Sequence, residues 1–193
     1  MLTAQSPRMA KVDRRDQLLD VAGDLVLGRG VAAVTIERVA AEAGVSRALA
    51  YQHFDNADDV LLALYRREVA HLAEQILGAV DAVTLPEAKL RAAIGTFLDV
   101  VQARGALLTV LAAAGSDVAA RADAGTRGGP RFAESLFRDI FGMSARPARV
   151  AAAMTFGALN GGVEAWMAGE LRRPEVEDAA VAVALGLAGR GAP

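Results

Sequence analysis

The stretch Thr35–Phe54 reads TIERVAAEAGVSRALAYQHF and decides the expected fold. Ile36, Val39 and Ala43 recur at helical spacing, which predicts one buried face of a short helix. Gly44 predicts the end of that helix, because glycine enters the left-handed backbone region without Cβ strain. The residues that follow predict a second, more polar helix. A helix, a glycine turn and a short polar helix in this order are typical of a helix-turn-helix.

Polar residues on this stretch are suited to contact DNA. The hydroxyls of Thr35 and Ser46 can cap the backbone N–H groups at the start of each helix. Side chains of the second helix, such as Arg47 and Gln52, can meet phosphates and base edges. An ordinary corner between two helices has the same spacing, so the pattern alone leaves both interpretations open. The candidates for base edges are Arg47, Gln52 and His53, those for phosphates are Thr35, Ser46 and Tyr51, and Ala48 is a further candidate contact on the same helix.

A specific combination of residues lies between Arg14 and Tyr65. It comprises an apolar helix ending in Gly30, the Thr35 start, Val39-Ala40, Ala43-Gly44-Val45-Ser46, Tyr51, Phe54, and an acidic helix start followed by Leu61. In this combination the chain resembles the DNA-binding domain of the TetR family of bacterial transcriptional regulators. The family often has Gly-Thr-Leu-Tyr where this chain has Ala48-Leu49-Ala50-Tyr51, and an aromatic residue where it has His53. These departures leave the expected fold unchanged and the operator sequence open.

The resemblance implies an all-α fold of about nine helices, in which a three-helix DNA-binding domain precedes a helical ligand-binding and dimerisation domain. We expect a flexible basic arm at residues 1–13, the DNA-binding domain at 14–62 and the second domain at 63–193. The helix that begins after the acidic run is expected to connect the two domains.

The composition is that of a globular chain. Of its 193 residues, 53 % are hydrophobic and 23 % charged, and alanine supplies much of the apolar share, which favours closely packed helices. The chain has no cysteine, so it has neither a disulfide framework nor a thiolate metal site. Residues 1–15 lack the apolar core of a signal peptide, and the longest apolar run, at 179–189, is too short to cross a bilayer. We therefore expect a cytoplasmic protein without a membrane partner.

The net charge of −2 is unusual for a protein that binds DNA, and its distribution is more informative. Residues 1–54 hold seven Lys and Arg against six Asp and Glu, whereas the remainder holds 14 against 17. An acidic body behind a weakly basic face would turn the molecule toward a duplex. For the basic arm alone, a solvated tail without a role is the alternative.

Motifs for catalysis are incomplete in this chain. Glu68 and His71 have the E-x-x-H spacing of di-iron sites, but a second such motif is absent. Gly28, Gly30 and Ala33 match a dinucleotide fingerprint, yet they follow a predicted helix where the fingerprint requires a strand. No P-loop is present. We therefore expect no enzyme activity, no cofactor and no metal site.

The last two predicted helices indicate a homodimer. The first, at about 146–169, contains Gly157, Gly161 and Gly162, each of which costs a helix roughly 1 kcal/mol relative to alanine. Close approach of another helix would offset that cost, although a break at Asn160-Gly161 is the alternative. The final helix, at about 174–189, has an apolar seam. The expected dimer residues are Gly157, Gly161, Val176, Ala180, Val183 and Leu187.

The helices between about residues 86 and 166 predict an apolar pocket for a small-molecule effector. Gly105 and the glycine-rich segment 115–129 interrupt these helices, and such breaks let helices splay. Apolar stripes at helical spacing are more often plain core, so that alternative stays open for each residue. The candidate ligand contacts are Phe97, Val101, Leu108, Leu111, Phe137, Met154, Asn160 and Trp166, with Thr109 and Glu164 as further polar anchors.

Together these features predict a repressor that binds a near-palindromic operator as a dimer and is released by a small apolar ligand. Two alternatives remain open at this point. One is a DNA-binding regulator of the same fold that responds to a protein partner and to no small molecule. The other is an enzyme or carrier built on a helical bundle.

Overall fold

The structure is a computed structural model that describes residues 11–104, 107, 110, 111 and 128–191. Within these ranges the chain folds into eight α-helices and one short 3₁₀ turn, with no strand. The all-α prediction is confirmed, and the expected nine helices are an approximation of this number. The elements are α1 Lys11–Arg29, the 3₁₀ turn Val31–Ala33, α2 Ile36–Glu42, α3 Arg47–Tyr51, α4 Ala57–Asp81, α5 Pro86–Arg104, α6 Gly128–Phe141, α7 Ala145–Met167 and α8 Arg173–Gly191.

Side-chain caps begin three consecutive helices, as the sequence predicts for Thr35 and Ser46. The Thr35 hydroxyl oxygen accepts a hydrogen bond from the backbone N–H of Arg38 at 3.2 Å. The Ser46 hydroxyl oxygen accepts from the backbone N–H of Leu49, also at 3.2 Å. Asn56 caps α4 in the same way. Between the first two helices, Gly44 has φ +67°, so the predicted glycine turn is confirmed.

Three helices have ends that differ from the sequence prediction. Helix α1 begins at Lys11, so it includes three residues that were expected in the arm. The second helix of the motif was expected to reach about His53, but α3 ends at Tyr51, because the next backbone N–H groups bond three residues back and tighten the last turn. Helix α8 begins at Arg173 and ends at Gly191, slightly longer than predicted.

An N-terminal hydrophobic cluster joins α1, α2, α3 and the first turns of α4. Leu18, Leu25 and Leu64 are among its fully buried side chains. Leu107 and Leu111, which follow α5, belong to the same cluster. The cluster therefore reaches past residue 62, where the predicted domain boundary lies, and takes two leucines from the second half of the chain.

A C-terminal hydrophobic cluster joins the rest of α4 to α5, α6, α7 and α8. Within it, α7 runs without interruption from Ala145 to Met167, so the predicted continuous helix is confirmed and the alternative break at Asn160-Gly161 is absent. At Gly162 the neighbouring α8 comes very close, since a Cβ built there would lie 2.7 Å from Val176 Cγ1. Helix α8 therefore packs against α7 where α7 has no side chain.

Charged side chains join α4 to α1 and α8 to α5. Arg67 on α4 pairs with Asp20 of α1 at 2.9 Å, and its other terminal nitrogen donates to the carbonyl oxygen of Asp16 at 3.1 Å. Arg173 on α8 pairs with Asp99 of α5 and donates to the carbonyl oxygen of Gly95. No helix within the described ranges is both long enough and apolar enough to span a bilayer.

Candidate DNA-binding surface and ligand cavity

The outer face of α3 gathers four of the predicted DNA contacts. Arg47, Ala48, Tyr51 and Gln52 are all exposed, whereas Ala50 is buried against the N-terminal cluster. These four residues, called the α3 outer face below, are the first, second and last residues of α3 and Gln52, which directly follows it. The arrangement presents a cation, an amide and a phenol on a surface that no other described element covers.

Thr35 and Ser46 flank this face at the starts of α2 and α3. Both residues are exposed, and both hydroxyl oxygens already accept a backbone N–H. A hydroxyl that accepts in a cap keeps its own hydrogen, which can still be donated to a phosphate oxygen. The predicted role of these two residues is therefore compatible with their caps.

The Tyr51 hydroxyl has a partner that sequence reasoning missed. It donates a hydrogen bond to Glu37 Oε1 of α2 at 3.0 Å. The pKa of Glu37 is lowered, first by its own backbone N–H and then by this hydroxyl, and the pKa of Tyr51 is raised because its proton is held by the carboxylate. Fourteen residues separate the two side chains, so no local pattern indicates the contact. Glu37 fixes the direction of the Tyr51 hydroxyl on the α3 outer face.

His53 does not share the α3 outer face. It lies two residues past the end of α3, where the chain turns toward α4, and it is half-buried. Its carbonyl oxygen accepts a hydrogen bond from Arg15 Nη1 at 2.8 Å. The side chain lines a surface groove with residues of α1 and α4. His53 therefore lies apart from the other candidate base contacts, Arg47 and Gln52.

Arg15 holds the end of the helix-turn-helix to α1. Besides its bond to His53, its guanidinium carbon lies 4.4 Å from the centroid of the Phe54 ring. A cation over an aromatic face at such a distance contributes about 0.5–1 kcal/mol at an exposed site. No local sequence pattern indicates this role, because the partners of Arg15 lie 38 and 39 residues away along the chain.

A cavity of about 110 Å³ lies between α4, α5, α6 and α7. Two of the candidate ligand contacts, Phe97 and Phe137, line it among mostly apolar side chains. Thr155 of α7 is a lining residue that was not predicted from the sequence. The lining residues are Leu72, Ile76, Leu90, Ala93, Ile94, Phe97, Gly129, Phe132, Ala133, Leu136, Phe137, Ile140, Phe141, Thr155, Phe156 and Leu159.

The other predicted ligand contacts lie elsewhere. Val101 and Trp166 pack in the C-terminal cluster without lining the cavity, and Leu111 is buried in the N-terminal cluster. Met154 is 60 % exposed and points away from the cluster. The predicted contacts differ from the cavity lining because an apolar stripe in the sequence indicates a buried face without indicating which core that face enters. Asn160 is half-buried outside the cavity lining, Glu164 is exposed, and Leu108 and Thr109 lie outside the described residues.

The predicted dimer residues fall into two groups. Gly157 and Gly161 are exposed, and a Cβ built on either would meet nothing within 4 Å. Val183 is 38 % exposed, and Leu187 is half-buried. In contrast, Val176 and Ala180 are buried inside the chain, where their side of α8 packs on α7. These two residues are therefore not available to a second subunit.

The chain is similar to known regulators. Residues 18–64 match the family described as bacterial regulatory proteins, tetR family. The transcriptional activator FasR of Mycolicibacterium smegmatis is 34 % identical over 95 residues, which is 49 % of this chain and 43 % of FasR. The transcriptional regulator BetI of Brucella anthropi is 35 % identical over 81 residues, 42 % of each chain. This chain thus spans less than half of the length of these curated relatives.

The fold extends the similarity to nearly the whole chain. The regulator FadR of Bacillus subtilis, solved in complex with stearoyl-CoA, superposes with a TM-score of 0.72 over 90 % of this chain and 97 % of FadR, at 17 % identity. The chain is thus similar to the tetR family of bacterial regulatory proteins over residues 18–64, and over nearly its whole length it shares the fold of FadR.

Proposed function

We propose that this chain is a transcriptional regulator that binds double-stranded DNA through the α3 outer face. The observation that supports this most is the exposed set Arg47, Tyr51 and Gln52 on a short helix that Ser46 caps and Gly44 orients. In the proposed complex, Arg47 and Gln52 read base edges. Thr35, Ser46 and Tyr51 bind phosphates and set the register of the helix in the groove.

A second copy of the chain completes the proposed DNA-binding unit. Helix α3 has only five residues and can read few base pairs, so a two-fold dimer supplies the second half-site. The outward faces of α7 and α8 expose apolar and small side chains, an arrangement that is unusual for a surface in contact with water alone. This dimer surface comprises Val150, Ala153, Met154, Gly157 and Gly161 of α7, with Ala179, Ala182, Val183 and Gly186 of α8.

The cavity is the proposed effector site, and α4 is the proposed connection to DNA. Helix α4 carries Leu64 in the N-terminal cluster and Leu72 and Ile76 in the cavity lining. An occupant that moves α4 would therefore also move the helix-turn-helix. Such a ligand changes DNA affinity only by its differential affinity for the two states, typically about 5–150-fold. The related fold of FadR holds stearoyl-CoA, which supports a largely apolar effector for this chain.

We propose repression as the direction of regulation, because a dimer on a near-palindromic operator competes with other proteins for the same DNA. Activation is the second candidate, since the relative FasR is named an activator. A reporter gene placed downstream of the DNA site that this chain binds distinguishes repression from activation. Repression predicts higher expression after deletion of the regulator, and activation predicts lower expression.

Selection of bound sequences from random DNA tests the proposal as a whole. We expect a near-palindromic site, and Arg47→Ala should lower the affinity for that site roughly tenfold or more. Arg131→Ala on α6 is the matched control, because it removes the same charge from an exposed position far from α3. Failure to enrich any sequence, or equal losses for both variants, would contradict DNA reading by the α3 outer face.

A further inference from the structure

Thr155, one of the residues that line the cavity, has a buried hydroxyl without a hydrogen-bond partner in the described part of the chain. Thr155 lies in the middle of α7 and is 7 % exposed. Its Oγ1 atom is buried and makes no hydrogen bond within the described part of the chain. A threonine inside a helix commonly donates to the carbonyl oxygen one turn earlier, and this hydroxyl makes no such bond. The hydroxyl is therefore still able to donate and to accept.

The side chains around Thr155 offer its hydroxyl no partner. Every other described residue that lines the cavity is apolar, so no lining side chain can become a partner after a rotamer change. A hydroxyl buried without a partner is unfavourable, and valine would fill nearly the same volume without this cost. An occupant of the cavity that completes the hydrogen bond would offset the cost.

We propose that the effector is an uncharged, largely apolar molecule with one hydrogen-bonding group, and that this group pairs with the Thr155 hydroxyl. The assignment rests on the proposed function, since it names the chemistry of the same effector site. A carboxylate or an ammonium is disfavoured, because no charged residue lines the cavity in the described ranges. A carbonyl, ether or hydroxyl group fits, since a single hydrogen bond satisfies the threonine.

The size of the cavity limits the occupant further. Its volume of about 110 Å³ is below the roughly 150 Å³ of a cavity that admits one benzene molecule. A Cβ built on Gly129 would lie 3.1 Å from Phe156 Cζ, so the Phe156 ring rests against the α6 backbone beside Thr155. A single-ring compound requires a small displacement of such side chains, whereas a long acyl chain requires a much larger one.

Three probes of similar size test the pairing by isothermal titration calorimetry on the full chain. Acetophenone has one carbonyl acceptor, ethylbenzene has none, and benzoate carries a charge. Thr155→Val should lower the affinity for acetophenone about 2–10-fold, the range expected for one hydrogen bond, and leave that for ethylbenzene within about twofold. Thr155→Ser should retain the preference for acetophenone. The matched control Thr96→Val, on α5 and outside the cavity lining, should change neither affinity.

Several outcomes would overturn the assignment. One is an equal loss of affinity for acetophenone and ethylbenzene in Thr155→Val. The others are tighter binding of benzoate than of acetophenone, and no binding of either neutral probe to the unmodified chain. The thermal unfolding midpoint of Thr155→Val should be unchanged or higher, which separates loss of the hydrogen bond from loss of the fold. Binding of the chain to its selected DNA site is measured separately, with and without acetophenone. Thr155-dependent binding without DNA release would support the anchor and refute only the proposed release mechanism.

Discussion

The substitution Gly162→Ala measures how closely α7 and α8 pack. The new methyl group would lie 2.7 Å from Val176 Cγ1 and 3.6 Å from its Cβ and Cγ2, and contacts below 3.0 Å force a displacement. Val176 is buried within α8, where a β-branched side chain has one strongly preferred rotamer, so it cannot turn away. Overpacking of this kind costs about 1–3 kcal/mol.

Gly161→Ala is the matched control on the same helix. Both substitutions gain about 1 kcal/mol of helix propensity, but a Cβ on Gly161 meets nothing within 4 Å in its own chain. We therefore expect Gly161→Ala to be about 1–3 kcal/mol more stable than Gly162→Ala, the full overpacking cost. For a chain of this size, each 1 kcal/mol corresponds to about 2–4 °C in the unfolding midpoint.

Urea and thermal unfolding at a fixed, low protein concentration give the difference in unfolding free energy between the two variants. Sedimentation velocity gives their state of association. If the dimer surface is as proposed, Gly161→Ala should also weaken self-association, because a partner helix fills the groove at this glycine. Equal stability of the two variants would refute the close contact between α7 and α8. Stronger self-association of Gly161→Ala would refute the proposed groove.

Three further predictions concern single side chains. Tyr51→Phe removes the hydroxyl that Glu37 accepts, so the pKa of Glu37 should rise toward its ordinary value in an NMR titration, and all DNA sequences should lose affinity by the same factor. Val183→Arg should give monomers in sedimentation and abolish tight operator binding, whereas an intact dimer would exclude this part of the surface. The pKa of Glu175 is held at about 2 by the side chain and backbone N–H of Arg172, so its contribution to stability is present above pH 4.5 and lost as the pH falls toward 2. Glu175→Gln should remove that part of the acid dependence in unfolding curves.

Local features of the fold were predictable from the sequence. The caps by Thr35 and Ser46 and the left-handed Gly44 depend on residues within four positions, and all three are present in the structure. The continuity of α7 through Asn160-Gly161 was also predictable, because the apolar spacing carries across that site.

Contacts between distant residues were not predictable. Periodicity identified the seam of α8 at Val176 and Ala180 as a buried face, but it does not state whether the covering helix belongs to the same chain. Here α7 covers the seam, and Gly162 makes room for it. The same reasoning explains Leu111, which has a place in the core of the DNA-binding half. Thr155 gave no signal, since a lone threonine among alanines and a phenylalanine has no motif.

The position of Leu107 and Leu111 has a consequence for engineering. Both leucines complete the hydrophobic cluster of the DNA-binding half, and Leu107 lies near Gly23 of α1, where a Cβ would come within 3.9 Å of it. Burial of one leucine is worth about 1.5–3 kcal/mol, so a fragment that ends after α4 loses about 3–6 kcal/mol of burial from this core. A chimeric regulator that joins this DNA-binding half to the ligand-binding domain of another protein must therefore supply two equivalent apolar side chains. Without them the chimera would expose the α1 surface around Gly23. The unit that can be transferred is therefore discontinuous in sequence, because it includes Leu107 and Leu111 as well as the first four helices.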